Sequence, residues 1–339
     1  MSFQTEPLMR AFGRLEGALA AFGEGAGLTA MLRRTEAVAS SRLDGNQASL
    51  FDLLDLEAGL AVTGPSRDTA ELHALADVMA GLPDAMKPTD WLLQVHGDLV
   101  KRLGSTGLGW RSAPLWIGAS GATRAEARHI PPSPDQIPVL MLEWEQSFLK
   151  EGDSGSLLKL SHGFAALESI HPFTDANARV ARLWLQHALV EAGFLKHPIL
   201  SWSVVLVRRA HEARQAIQAQ RSARDTDPWT PLFISLLRQA ADETTDIVCR
   251  VAALRSRHRQ LIAANFGRAV PQALRLADAL LATPMIDVKA VLELTGVTFP
   301  AANDLVRRFE QAELLVEVTG NARNRRFRYA PYVRIFIDD

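Results

Sequence analysis

The middle of this chain is constrained by two helical patterns that a proline-containing break separates. Apolar residues recur at spacings of three and four over residues 157–170, at Leu157, Leu160, Phe164 and Leu167. This periodicity predicts a helix with one apolar face. Pro172 disfavours helical geometry in the residue before it, so the helix is expected to end near Ile170. A new helix is expected to start near Asn177, which predicts a helix–loop–helix unit.

The connecting loop and the start of the second helix hold side chains suited to a phosphate ligand. Arg179 and Arg182 are three residues apart and therefore share one helix face. They follow a helix N-terminus, whose unpaired N–H groups can hold an anion. Two guanidinium groups at such a position favour a polyphosphate over a single carboxylate. Asp175 offers hard oxygen ligands to Mg²⁺, and His171 can accept a proton near neutral pH.

The segment His171–Arg182 resembles the signature of the Fic family, H-P-F-x-D/E-G/A-N-G/K-R-x-x-R, and eight positions match. This resemblance implies a mainly α fold, with a helical Fic core and a small β-hairpin flap. It implies that the chain transfers AMP from ATP to a Ser, Thr or Tyr hydroxyl of another protein or of itself, with Mg²⁺ as cofactor. The hydroxyl oxygen would attack the α-phosphorus and pyrophosphate would leave.

The resemblance also implies a role for each motif side chain. His171 would be the general base that deprotonates the target hydroxyl. Asp175 would hold Mg²⁺ against the α- and β-phosphates. Arg179 would bind near the bridge between these phosphates, and Arg182 would pair with the γ-phosphate. Phe173 would be buried and would anchor the loop.

Three further motif residues, Ala176, Asn177 and Ala178, lie at the start of the second helix. Asn177 and the backbone of residues 176–179 would form the anion hole. The family usually has glycine where this chain has Ala178. Alanine is tolerated there if the position is an ordinary helical N-terminus, but it would hinder donor binding if the position needs a positive φ.

Residues 40–46 resemble the inhibitory motif of the same family, S/T-x-x-x-E-G/N, with Ser40, Asp44 and Gly45 at its defined positions. In relatives the glutamate pairs with the second motif arginine and blocks productive placement of the γ-phosphate. The matching pair here is Asp44 with Arg182, and since aspartate is one methylene shorter, the contact is expected to be longer or weaker. The alternative is a plain helix C-terminus with Gly45 as its left-handed residue.

Residues 115–124 resemble the flap of similar Fic proteins. Such a flap would position the target segment by adding a strand to it. The flap residues assigned on this basis are Ile117, Gly118, Ala119 and Ser120. The alternative is an ordinary surface loop.

The sequence does not determine which nucleotide is the donor. The aromatic pair that the family usually has in the following helix is absent from residues 211–214, which leaves the adenine pocket open. Two other Fic-type reactions are therefore alternatives: removal of AMP, with the inhibitory carboxylate aligning a water, and transfer from donors such as UTP or CDP-choline. Asp44 is short for the water-aligning role, which ranks removal second.

The C-terminal part of the chain is predicted to have short helices followed by two strands. Three short helices are predicted over residues 273–281, 287–294 and 300–312, followed by strands over 314–319 and 326–329. This is the order of a winged helix-turn-helix. Its third helix and wing are locally basic through Arg307, Arg308, Arg323, Arg325, Arg326 and Arg328. The unit is therefore a candidate DNA-binding domain of a nucleotide-sensing regulator, and the alternative is a protein-binding or dimerisation module.

Composition limits the remaining classes of protein. The 339 residues are 47% apolar with a formal net charge of −1, which argues against a protein that coats nucleic acid along its length. The single cysteine, Cys249, excludes an intramolecular disulfide and is expected in the core. Since neither a membrane span nor a signal peptide is recognisable, we expect a cytoplasmic protein without a membrane partner, and a homodimer is an open possibility.

The chain is accordingly divided into three parts. Residues 1–90 form an N-terminal helical region that carries the inhibitory motif. Residues 91–250 form the Fic catalytic core, and residues 251–339 form a linker helix and the winged helix-turn-helix domain.

Overall fold

The computed structural model describes residues 5–23, 26–60, 66–84, 86–104, 107–118, 121, 123–149, 157–222 and 227–337. Within these ranges the chain is mostly helical and has one small three-stranded antiparallel sheet. The predicted mainly helical fold class is confirmed. Across the same ranges, every helix is either too short or too polar to traverse a bilayer.

Ten helices precede the C-terminal unit in the described part of the chain. The first five are α1 Glu6–Phe22, α2 Ala26–Leu43, α3 Leu50–Glu57, α4 Arg67–Ala80 and α5 Pro88–Arg102. The next five are α6 Ile137–Leu149, α7 Leu157–Ile170, α8 Asn177–Glu191, α9 Trp202–Ser222 and α10 Trp229–Asn265. The bounds of α7 and the start of α8 agree with the sequence prediction, because Pro172 ends the first helix locally.

The C-terminal unit alternates short helices and strands. Its elements are α11 Val270–Ala279, β1 Met285–Ile286, α12 Val288–Thr295, α13 Phe299–Gln311, β2 Val316–Glu317, β3 Phe327–Arg328 and α14 Ala330–Arg334. Strand β3 lies in the centre of the sheet, where Arg328 is paired with Met285 of β1 and with Val316 of β2. The sequence analysis missed β1 and α14, and it placed the two later strands over longer ranges.

An aromatic cluster holds the helices that carry the motif. Phe164 of α7 packs against Trp202 of α9 and against Trp229 and Phe233 of α10, with ring centroids 5.8 to 6.4 Å apart. All four rings are buried. Close packing of such large side chains leaves little freedom to the helix ends. The loop between α7 and α8 therefore projects from a rigid base.

Helix α2 connects the catalytic region with the C-terminal unit. A Cβ atom on Gly27, in the first turn of α2, would lie 2.6 Å from the backbone nitrogen of Ala282. Arg34 donates to the carbonyl of Ala282 at 3.1 Å and pairs with Glu57 of α3. The first turn of α2 is thus in direct backbone contact with the segment that follows α11.

Helix α10 corrects one sequence expectation. Cys249 lies on α10 and is exposed, so the prediction that it is a core residue is wrong. The apolar stripe of α10 lies on the face that packs against α1, α7 and α9, and Cys249 falls outside it. The helix also continues without a break past residue 250, the boundary that was placed between the catalytic core and the linker helix.

Substitution of Gly27 tests the close approach of α2 to the C-terminal unit. Gly27→Ala is expected to lower the free energy of unfolding by about 1–3 kcal/mol, since the added methyl group meets backbone atoms that cannot rotate away. Urea denaturation followed by circular dichroism measures the change. Gly17→Ala is the control, because a Cβ on this α1 residue meets nothing within 4 Å. Helix propensity alone then favours alanine by roughly 0.5–1 kcal/mol. Equal effects of the two substitutions would contradict the packing of α2.

Candidate active site

The loop between α7 and α8 is closed by Asn177. Its side-chain oxygen accepts the N–H of Phe173, and its side-chain nitrogen donates to the carbonyl of Phe173, both at 2.8 Å. The Phe173 ring is buried and stacks on His96 with centroids 3.8 Å apart. The Asn177 amide is therefore used within the loop, and the groups left to bind an anion at this position would be backbone N–H groups of the first turn of α8.

Two residues of the loop adopt left-handed backbone geometry. Ala176 has a φ of 60° and His171 has a φ of 48°. Ala178, in contrast, lies inside the first turn of α8. Of the two cases considered for Ala178, the structure has the ordinary helical N-terminus, where alanine is tolerated. The strain that glycine would avoid falls on Ala176 instead.

The imidazole of His171 is held by the end of α7. Its Nδ1 lies 2.9 Å from the carbonyl oxygen of Glu168, which fixes the proton on Nδ1 and leaves a lone pair on Nε2. Burial lowers the pKa of His171 to about 4, and the charges of Arg221 and Arg111 act in the same direction. The ring is thus neutral at physiological pH, which is the state that a proton acceptor needs.

Asp44 lies between the two motif arginines. It follows the last residue of α2, where Gly45 adopts a φ of 94° and its N–H donates to the carbonyl of Arg42. Asp44 Oδ2 lies 3.0 Å from Arg182 Nη2 and 3.3 Å from Arg179 Nε. The segment is therefore a glycine-terminated helix end that also presents a carboxylate to the motif.

Arg182 is bound by the end of α2 through more than Asp44. Its Nε donates to Ser40 Oγ at 2.8 Å, and its Nη2 donates to the Ser40 carbonyl at 2.9 Å. Arg182 is 5% exposed, so these contacts are largely shielded from water. The aspartate is long enough for a direct contact, because the end of α2 lies close against α8.

Arg179 is surrounded by carboxylates but is loosely held. Besides Asp44, its Nη1 lies 3.6 Å from Glu71 Oε2 and its Nη2 lies 3.7 Å from Asp175 Oδ1. These separations exceed ordinary hydrogen bonds. Its buried Nε makes no hydrogen bond within the described residues. Arg179 therefore keeps donors for a ligand. Glu71 was not predicted from the sequence, because it looks like an ordinary surface charge of α4.

Glu36 was also missed by the sequence analysis. It lies on α2 one turn before Ser40, is 3% exposed, and accepts the backbone N–H of Ser203 with both oxygens at 2.9 Å. Burial raises the pKa of Glu36 to about 7. Glu36, Ser40 and Asp44 are spaced by four residues, so one face of α2 contacts α8 and α9 with three polar groups.

Two cavities meet at His171. The first, of about 520 Å³, is a groove lined by Asp175, by residues 176–179 and by the flap residues Ile117 and Gly118. The second, of about 310 Å³, is lined by aliphatic side chains such as Leu206 and Ile217, by the rings of Phe164 and Trp229, and by charged groups that include Arg182. Asp44, Ile117, His171 and Ala178 line both cavities. Among the described residues of α9 that line the second cavity, none is aromatic, which agrees with the missing aromatic pair in the sequence.

Asp175 is the candidate metal ligand. Its side chain is 72% exposed and lies at the edge of the groove. Within the described ranges, no three His, Cys, Asp or Glu side chains form a group that could hold a metal ion by themselves. A carboxylate at a phosphate groove fits Mg²⁺, which commonly takes one or two carboxylates and completes its shell with phosphate oxygens and water.

In the described part of the predicted flap, a β-bridge joins the two limbs. Ile117 and His129 form an antiparallel bridge in which the Ile117 N–H donates to the His129 carbonyl at 2.8 Å. His129 is in turn tied to α7, since its Nε2 lies 2.8 Å from the Ser169 carbonyl. Ala119 and Ser120 lie outside the described residues.

Comparison with known proteins identifies the region. Residues 87–189 match the profile of the Fic/DOC family, and residues 5–79 match that of the Fic/DOC family N-terminal region. Over 69 residues the chain is 38% identical to "Protein adenylyltransferase Fic" of Drosophila mojavensis and 36% identical to that of Drosophila virilis. This stretch covers 20% of this chain and only 14% of the length of either relative.

Solved structures share the fold. A Fic family protein from Desulfovibrio desulfuricans G20 aligns over 95% of both chains with a TM-score of 0.58 at 18% identity. Fic-1 of C. elegans aligns over 74% of this chain and 73% of its own with a TM-score of 0.54 at 17% identity. At these low sequence identities, the similarity shows a shared fold and nothing further.

The pKa of His171 has a measurable consequence for stability. Its value is about 4 in the folded chain, below the ordinary value of 6.5. The unfolded chain therefore binds the proton first, so this group's contribution is complete above about pH 6.5 and is lost as the pH falls towards 4. Over this window His171→Asn is expected to lose less stability than the wild type, by at most about 3 kcal/mol. Denaturant titrations at several pH values measure the difference, and parallel pH profiles of the two proteins would contradict the assignment.

Proposed function

This chain belongs to the Fic/DOC family, and on that premise we propose that it transfers AMP from ATP to a Ser, Thr or Tyr hydroxyl of another protein or of itself. The observation that carries the proposal is the convergence of His171, Arg179 and Arg182 with the N-terminus of α8 on adjoining cavities. A neutral base next to a cluster of phosphate-binding donors supports phosphoryl chemistry more than any other reaction class.

The proposed reaction gives each group of the site a role. The first turn of α8 and Arg179 would hold the α- and β-phosphates, and Arg182 would hold the γ-phosphate. Asp175 would hold Mg²⁺, which neutralises charge on the bridging phosphates. His171 Nε2 accepts the proton of the target hydroxyl as its oxygen bonds to the α-phosphorus, while the bond to the leaving pyrophosphate breaks. A weak base suffices, because the hydroxyl becomes acidic only as the new bond forms in a loose transition state.

We further propose that residues 40–46 inhibit this reaction. Asp44 and Ser40 use donors of Arg182 that a γ-phosphate would need. The same carboxylate lies at Arg179, so it opposes the triphosphate at both guanidinium groups. A bound triphosphate would also bring negative charge next to Asp44, which costs free energy unless the carboxylate moves away.

Two alternatives concern the same site. Removal of AMP would need Asp44 to align a water, and its carboxylate is instead engaged by two guanidinium groups, which supports transfer. Another nucleotide donor is an alternative because residues 210–217 of α9 offer no aromatic ring for base stacking, and the rings that do line the second cavity, Phe164 and Trp229, come from α7 and α10. A screen of nucleotide donors, read as mass added to the modified protein, distinguishes these reactions.

Variants at the two ends of the site test the proposal. Asp44→Gly is expected to raise incorporation of labelled AMP by roughly 5- to 100-fold, since it removes the carboxylate that pairs with both arginines. His171→Ala in the same background is expected to abolish incorporation. Asp84→Gly, an exposed loop substitution outside the site, is the control and should leave the rate unchanged. Undiminished incorporation in the His171→Ala variant would remove the base assignment.

The C-terminal unit supports a second, separate proposal. We propose that it is a winged helix, because β1, α12, α13, β2 and β3 follow one another in that order and β3 pairs with both other strands. Its basic character is largely compensated within the chain. Arginines of the third helix and wing pair with carboxylates, Arg307 and Arg308 with Asp304, Arg326 with Asp287, and Arg328 with Asp55.

DNA binding by this unit is therefore expected to be weak. In gel-shift experiments, the full chain should bind a random-sequence duplex only at low salt, with a shallow dependence on salt concentration, since few arginines are free to replace counterions. Arg323→Ala combined with Arg325→Ala should remove what binding there is. Tight binding with a steep salt dependence would contradict this expectation and support the DNA-binding regulator.

A further inference from the structure

We propose that Arg111 is a positioning residue for the transfer reaction proposed above, because one buried guanidinium fixes both the base and the flap. Neither the motif nor the inhibitory segment includes this residue, and the sequence analysis did not single it out. The inference rests on the proposed function only for its kinetic consequence, since the contacts themselves can be tested without any turnover.

Arg111 joins backbone carbonyls from three stretches of chain. Its Nε donates to the His171 carbonyl at 2.8 Å, and its Nη1 donates to the Ala113 carbonyl at 3.1 Å. Its Nη2 donates to the Pro132 carbonyl at 2.5 Å and is 3.5 Å from that of Ile170. Arg111 is 3% exposed. Ala113 precedes the first limb of the flap and Pro132 follows the second, so both roots of the flap and the catalytic loop share one donor group.

The guanidinium is matched to this position by charge and shape. The carbonyls of Ile170 and His171 lie at the C-terminal end of α7, where they lack partners within the helix and carry the negative end of its dipole. Arginine has five N–H donors in a planar fork, so it can serve several carbonyls at once, whereas lysine presents a compact ammonium group. Burial lowers the pKa of Arg111. The cost of burying this charge is offset by the carbonyl oxygens that the guanidinium binds.

The contact matters most at His171, whose backbone is strained. A φ of 48° costs a non-glycine residue free energy and persists only when its surroundings fix it. Arg111 holds the carbonyl of His171 through Nε and that of Pro172 through its backbone N–H at 2.9 Å. Without the guanidinium, the peptide after His171 can relax, and the position of Nε2 relative to the groove changes with it.

The guanidinium of Arg111 also holds the flap in position. Ile117 pairs with His129, and His129 is tied to Ser169, so the flap is connected to α7 at its tip side and through Arg111 at its roots. A target segment that adds to the flap would then be held at a fixed distance from His171. Since misplacement by about 1 Å can cost roughly 100-fold in rate, this shared support has a direct kinetic effect.

The experiment compares Arg111→Met and Arg111→Lys with Arg257→Met, each in the Asp44→Gly background. Arg257 is an exposed arginine of α10 outside the site and the flap, and it serves as the matched control. Arg111→Met is expected to lower kcat roughly 100-fold while the KM and Kd for ATP change by less than about threefold, because the phosphate-binding residues are untouched. Arg111→Lys is expected to recover part of kcat. A kcat for Arg111→Met within about threefold of the background, with the protein folded, would overturn the proposal.

A second readout needs no turnover. In histidine-selective labelled protein, the pKa of His171 is expected to move up from about 4 towards its ordinary value in Arg111→Met, because charge is lost and water gains access. Hydrogen exchange at residues 113–117 and 129–132 is expected to speed up in the same variant. If the background protein transfers no AMP, the proposed function fails, and these readouts still decide the role of Arg111. Should Arg111→Met not fold, Arg111→Lys is measured in the same way, and unchanged exchange and pKa would overturn the inference.

Discussion

The candidate site depends on one contact, in which the carboxylate of Asp44 lies between the guanidinium groups of Arg179 and Arg182. Both arginines are nearly buried, at 6% and 5% exposure, and two shielded cations one helix turn apart repel each other unless an anion lies between them. The fold supplies Asp44 as that anion. In the proposed function a triphosphate would supply the same compensation, so Asp44 and the nucleotide would compete for the two arginines. The other carboxylates near Arg179, Glu71 and Asp175, are farther away and leave its buried Nε free of hydrogen bonds within the described residues.

Helix α2 holds Asp44 in position, because both halves of the helix are bound to other parts of the molecule. Glu36, Ser40 and Asp44 fix its C-terminal half to α8 and α9, while Gly27 and Arg34 fix its N-terminal half to the segment after α11. The helix therefore has partners at both ends. The position of the Asp44 carboxylate therefore depends on contacts of α2 with α8 and α9 and with the C-terminal unit.

The base and the flap form a second, independent assembly. His171 combines a strained backbone, a ring fixed by the end of α7 and an environment that keeps it neutral. Arg111 supports this arrangement by donating to carbonyls at the end of α7 that have no hydrogen-bond partner within the helix. The two assemblies meet at the groove, where one would hold the phosphates and the other would hold the attacking hydroxyl.

The sequence by itself determined what local sterics and periodicity encode. Pro172 and the apolar spacing of α7 define the helix–loop–helix, and the residue types of the motif and of segment 40–46 are enough to predict the pair Asp44 and Arg182. Tertiary structure alone decided the rest. Glu36, Glu71 and Arg111 look like ordinary charges within their own segments, because their partners lie far away in the chain and come into contact only through packing. A strand as short as β1 exists only through its pairing with β3. The left-handed residues of the loop are His171 and Ala176, while Ala178 is helical, since the surrounding helices set the backbone geometry at the start of α8.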